Sequence, residues 1–184
     1  MKTNSDKTWN PRRLDVRAFA EAGATLQADL PLTALMRLSA ERGPDDGGTS
    51  VIFWQAHGEL RPAAGGTPAV WMHLQASAAV PMSCQRCLGS VSIPLDVDRW
   101  FRFVADEATA EAEDDDSEED VLALEPRPDL LDLLEDELLM AVPLVPMHDA
   151  CPAPLPAVAN NLGVSPEAPS TPPHPFAALA RLRK

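Results

Sequence analysis

Cys84 and Cys87 stand two residues apart in VPMSCQRCLGSVSIPL, and His148 and Cys151 stand close together in MHDAC. These are all three of the chain's cysteines and one of its four histidines. Thiolate and imidazole are the donors that structural zinc prefers, and such sites take four of them. Two donor pairs, each in a turn-like segment, make Cys84, Cys87, His148 and Cys151 a candidate Cys3His site. The same CxxC spacing also suits a redox pair or a plain tight turn between two strands. A redox CxxC should open a helix, whose dipole lowers a thiol pKa, whereas the residues after Cys87 alternate as a strand does. A zinc-dependent or redox protein built on the Cys84 and Cys87 pair is therefore one functional class to weigh. The metal-free turn stays open beside it.

The elements around these residues are legible from periodicity. Val70, Met72, Leu74, Ala76, Ala78 and Val80 alternate with small or polar residues, and Val91, Ile93, Leu95 and Val97 alternate again. Period two over this length predicts half-buried antiparallel strands, with the CQRCLG stretch at the hairpin end between them. SVIFWQAHGEL adds a strand before them, and Leu26, Leu30 and Leu32 suggest another over residues 24–32. Short helices are expected at LDVRAFAEAG, capped by Asp15 and ended by Gly23, and at TALMRLSAER, capped by Thr33. Leu130, Leu131, Leu134, Leu138 and Val142 recur at helical spacing, with Asp129 to cap and Pro143 to stop the helix. The expected fold is α+β: an antiparallel sheet, short N-terminal helices and one amphipathic helix packed on the sheet. Residues 1–13 are expected to be a flexible N-terminus and residues 14–150 a single domain. Residues 151–184 should be an extended Pro/Ala-rich tail ending in a short amphipathic segment.

Charge is uneven along the chain. The net charge is −13, yet 16 of the 28 acidic residues fall between Asp106 and Glu137 beside one basic residue, Arg127. That segment carries −15; the rest, with 14 basic and 12 acidic residues, carries +2. A near-neutral body offers no strong phosphate-binding footprint. The acidic segment would repel RNA or bind a basic protein, and residues 106–120 within it read as a flexible loop. At the other extreme, HPFAALARLRK places Phe176, Leu179 and Leu182 beside Arg181, Arg183 and Lys184 after the proline-rich stretch. Such a segment either docks on a partner or folds back on its own domain. No apolar run approaches the length of a membrane span, and the N-terminus lacks the apolar stretch of a signal peptide. Three cysteines do not make a disulfide framework, so a cytoplasmic protein with no membrane partner is expected. Dinucleotide, phosphate-loop, zinc-protease and serine-hydrolase motifs are absent.

Three blocks, CQRCLGSVSIPL, DLLDLLEDELLMAVPLVPMHDAC and the terminal PFAALARLRK, resemble in order and approximate spacing the YceD family. These are the bacterial and plastid large ribosomal RNA subunit accumulation proteins. The resemblance runs from about Arg12 to the end and is specific only in those blocks. It rests on Cys84, Arg86, Cys87, Glu135, Asp136, Glu137, Pro143, Pro146, His148, Pro175 and Phe176. Some relatives carry further cysteines after the helix; here Cys151 stands there, with His148 as the other donor. The resemblance implies a ribosome-biogenesis factor that supports accumulation and processing of 23S ribosomal RNA and assembly of the large subunit by binding, with no catalytic residue. The expected partner is a ribosomal protein or a large-subunit assembly intermediate, with indirect contact to the RNA. Arg86, Glu135, Asp136, Glu137, Phe176 and Leu179 are the candidate binding residues. No cofactor is expected beyond a structural zinc, should the two donor pairs meet.

Overall fold

The computed structural model describes residues 8–43, 50–63, 66–115 and 117–152. A five-stranded sheet in sequence order is its frame: β1 (Thr25–Pro31), β2 (Val51–Arg61), β3 (Ala69–Ser83), β4 (Ser90–Val104) and β5 (Asp120–Ala123). The first four strands pair antiparallel, and β5 adds to β4 in parallel. The expected α+β class and the antiparallel meander through residues 24–32 and 50–104 are both present. In β3 and β4 every second residue is buried except the partly buried Ala78 and the exposed Arg99, which is the consequence of one covered and one open face. Ile52, Trp54, Val70, Met72, Leu74, Val91, Ile93 and Leu95 line the covered face.

Helices close that face. In α1 (Val16–Glu21), Asp15 caps the start by accepting from the Ala18 N–H, and Gly23 follows the end at φ +54°. Phe19 is fully buried, and the helix lies so close to β2 that a Cβ on Gly58 would stand 2.6 Å from the Phe19 ring. The second short helix departs from expectation: Leu32–Ala34 form a 3-10 turn and α2 spans Met36–Ala40, so Thr33 caps nothing. α4 (Leu130–Met140) starts where the sequence indicates, with Asp129 accepting from the Leu131 and Asp132 N–H groups. Its Leu130, Leu134 and Leu138 are buried in the core. Burying each such leucine contributes about 1.5–3 kcal/mol.

Two segments expected to be loose carry regular structure among their described residues. Trp9 packs edge-on against Phe19 at 5.3 Å, and Pro11–Arg13 form a 3-10 turn, so order begins ahead of residue 14. The acidic stretch read as a flexible loop contains α3 (Glu107–Asp114) and leads into β5. Part of its charge is met by arginines of β4. Arg102 of β4 donates to Glu113 at 2.6 Å, Glu119 at 2.8 Å and Ser117 at 2.9 Å, while Asp106 caps α3 and Asp114 accepts from the Val121 N–H. The compact unit runs to Pro152, which takes Cys151 into the body; the expected tail from residue 153 lies outside the described residues. Among the described residues no helix is long and apolar enough to cross a membrane.

Candidate metal centre

The β3–β4 hairpin builds one half of the site. Its strands end in register at Ser83 and Ser90, leaving Cys84–Gly89 as the tip. The Cys84 N–H donates to the Gly89 carbonyl and the Leu88 N–H to the Cys84 carbonyl, both at 2.8 Å. Leu88 takes the left-handed conformation, φ 59°, that lets the chain turn back into β4. Cys84 is thereby fully buried and Cys87 half-buried.

The other half is the chain leaving α4, where proline at 143 forbids further helix. Residues 141–152 return to the hairpin tip and are stapled to it. The Gln85 N–H donates to the Pro146 carbonyl at 2.8 Å, and Arg86 donates through Nη2 to the His148 carbonyl at 3.2 Å. His148 then donates through Nε2 to the Ser90 carbonyl at 2.9 Å. That bond fixes the imidazole tautomer and leaves the Nδ1 lone pair toward the Cys87 sulfur, the arrangement found behind metal-bound histidines.

Cys84, Cys87, His148 and Cys151 converge, with all four donor atoms within 4.8 Å of one another. The Cys84 and Cys151 sulfurs are 3.9 Å apart, and the Cys87 sulfur lies 3.5 Å from His148 Nδ1. Tetrahedral zinc with bonds of about 2.3 Å to sulfur and 2.0–2.1 Å to nitrogen sets these separations near 3.8 and 3.5 Å. The donor set and its spacing fit that ion. The thiols are already differentiated. Burial pushes the Cys84 thiol up, but the backbone N–H groups of Cys87, His148 and Arg86 together with the His148 side chain outweigh it and bring the pKa down to about 5. Burial and its hydrogen bonds to Cys87 and Cys84 push Cys151 up to about 11. No helix starts at the CxxC; β4 follows it.

The acidic candidates on α4 are placed differently. Glu135 is buried and accepts from the Arg37 N–H at 2.6 Å and the Leu38 N–H at 3.1 Å, so its carboxylate serves the start of α2. It also accepts from Arg37 Nε at 3.1 Å. Asp136 is half exposed and pairs with the same arginine. Glu137 is buried at 3.5 Å from Arg99, which also holds Asp120 at 2.6 Å. Burial pushes the Glu137 carboxyl above its usual range; Arg99 opposes the shift and Asp120 and Asp136 add to it. Arg86 stands at the cysteine cluster, and Phe176 and Leu179 lie outside the described residues.

One grouping has no counterpart among the sequence expectations. On the open face, the Arg61 guanidinium lies 4.2 Å from the Trp71 ring and 4.0 Å from the Trp100 ring. His73 stacks on Trp100 at 4.2 Å and bonds Asp98 at 2.6 Å. The alternation of β3 puts Trp71 and His73 on one face, but only the β3–β4 register, with His73 opposite Trp100, brings the rings together.

Comparison with known proteins adds a family. The model for "Large ribosomal RNA subunit accumulation protein YceD" matches residues 72–183, a span that includes both halves of the cysteine cluster and α4. The Large ribosomal RNA subunit accumulation protein YceD of Haemophilus influenzae is 45% identical over 56 residues. That alignment covers 30% of this chain and 32% of the relative, about a third of the relative's own length. No solved structure matches the chain.

Proposed function

Because the chain belongs to the YceD family, we propose that it supports accumulation of large-subunit ribosomal RNA by binding a ribosomal protein or an assembly intermediate. On this reading it acts in the cytoplasm, carries out no catalysis and meets the RNA only on the particle. The observation that carries binding over catalysis is the cysteine cluster, which offers four protein donors to one ion. Catalytic zinc keeps a coordination position for water or substrate, whereas structural zinc is closed by four protein ligands. A zinc held by Cys84, Cys87, His148 and Cys151 would cross-link the hairpin tip to the chain after α4. Its chemistry there is that of a clamp. The residues around it orient the ligands: Ser90 fixes the His148 tautomer, and the amides of the tip hold Cys84 ready as a thiolate.

The test is depletion of the protein in its host, read by sucrose-gradient ribosome profile and by the level of large-subunit RNA. A deficit of large subunits restored by the wild-type chain is expected; normal profiles on depletion would remove the assembly reading. Elemental analysis of protein purified without chelator is expected to give about one zinc per chain, and a metal-free protein would remove the clamp.

A further inference from the structure

The open face of the sheet is the large surface that the cysteine cluster leaves unexplained. Across β1 to β4 it forms a trough of about 830 Å³, lined by Asp29, Phe53, Gln55, Gln75, Asp96 and Asp98 among others. Phe53 is 54% exposed at its floor, a large ring left in water. Asp29 sits opposite it on β1, whereas Asp96 and Asp98 stand on β4, opposite Ser77 and Gln75; His73 and Gln75 already bond both oxygens of Asp98, which leaves Asp96 as the open carboxylate of that rim. The two acidic rims are three strand spacings apart, about 14 Å. A helix with its side chains is about 10–12 Å across and fits between them. None of the side chains lining the trough is a lysine, arginine or histidine.

The chemistry of the occupant follows from this lining. A phosphate backbone would meet three carboxylates. A neutral apolar partner would bury those charges without compensation, which is costly. A cationic partner satisfies both rims, and an apolar residue on its underside covers Phe53. The same face already holds a cation further along, where Arg61 lies against both Trp71 and Trp100. We propose that the open sheet face docks a basic amphipathic helix of a partner protein. One apolar side chain of that helix rests on Phe53, between Arg or Lys side chains that meet Asp29 on one rim and Asp96 on the other. This rests on the reading that the chain acts by binding a basic ribosomal component, and it names the face that does so.

Fluorescence anisotropy with the full-length chain tests the face. The probes are a fluorescein-labelled synthetic helix with one leucine stripe flanked by arginines, its glutamate counterpart and a single-stranded RNA oligonucleotide. The arginine helix is expected to bind and the other two are not. Asp29→Asn and Asp96→Asn together should weaken binding about tenfold or more, because clustered charges act jointly on one ligand and are screened by salt. Phe53→Ser, at an exposed position, should weaken it several-fold without lowering Tm. Glu21→Gln and Glu107→Gln remove the same charge elsewhere on the exposed surface and should change binding less than twofold. Equal weakening by the two charge sets, or binding of the RNA instead, overturns the proposal. So does binding that appears only after Arg181, Arg183 and Lys184 are changed to Gln, which would make the chain's own tail the occupant. In the depletion strain, full rescue by the double Asp→Asn variant overturns the docking face and leaves the assembly reading intact. A normal profile on depletion overturns the assembly reading instead.

Discussion

At the hairpin tip, three sulfurs and an imidazole face one another with no arginine or carboxylate between them. On α4, three consecutive carboxylates are each met by a guanidinium, and Glu135 by two backbone N–H groups as well. Both regions bring like chemical groups together, but only the first leaves their lone pairs for something outside the chain. The second uses them to hold α2 and β4 against α4. Clustering of functional side chains is thus a poor guide until their partners are counted. A carboxylate with satisfied oxygens is structural mortar, and a donor set whose separations match an ion is a candidate site.

The largest expected effect lies at the tip. Cys84→Ser, or extended treatment with a strong chelator, should lower Tm by about 10 °C or more in thermal denaturation. Structural zinc is worth roughly 10–16 kcal/mol where it drives folding, and each kcal/mol is about 2–4 °C in a domain of this size. Cys151→Ser should do the same, since its sulfur comes from the other half of the clamp. A loss at Cys84 alone would separate the two halves and break the comparison.

Next comes Glu135→Ala, which strands the Arg37 and Leu38 N–H groups at the start of α2. A loss of about 2–3 kcal/mol is expected in denaturant unfolding, discounted because the Arg37 side chain is itself half exposed. A neutral result would return Glu135 to the candidate binding residues.

Glu137 sharpens the contrast through pH. Burial raises its folded pKa above the unfolded value of about 4.3. Its contribution to stability is therefore fully present below that value and is lost as pH rises through the folded one. Glu137→Gln should accordingly gain Tm relative to wild type as pH goes from about 4 to about 7. A relative loss over that window would mean the Arg99 pair outweighs burial. Smallest is Asp136→Asn, an exposed pair whose removal should change stability by less than about 0.5 kcal/mol. A larger change would mean that Arg37 needs both carboxylates.

The sequence by itself determined the elements whose information is local. Alternation wrote β3 and β4, the leucine spacing and Asp129 wrote α4, and the three cysteines with His148 named the cluster that converges before any fold was known. Each of these signals is complete within a few residues, because strand and helix periodicity and a cap hydrogen bond are short-range. Tertiary structure alone decided which groups would meet. Glu135 finds its amides 97 and 98 residues away, and Cys84 finds Cys151 across 67. The acidic segment looked too repulsive to order, since its composition does not reveal that Arg102 of β4 bridges Glu113 and Glu119. The parallel pairing of β5 and the Arg61–Trp71–Trp100 array were hidden for the same reason. Burial removes water as the competing partner and lets contacts between distant residues decide between a charge that holds the fold and one left to bind.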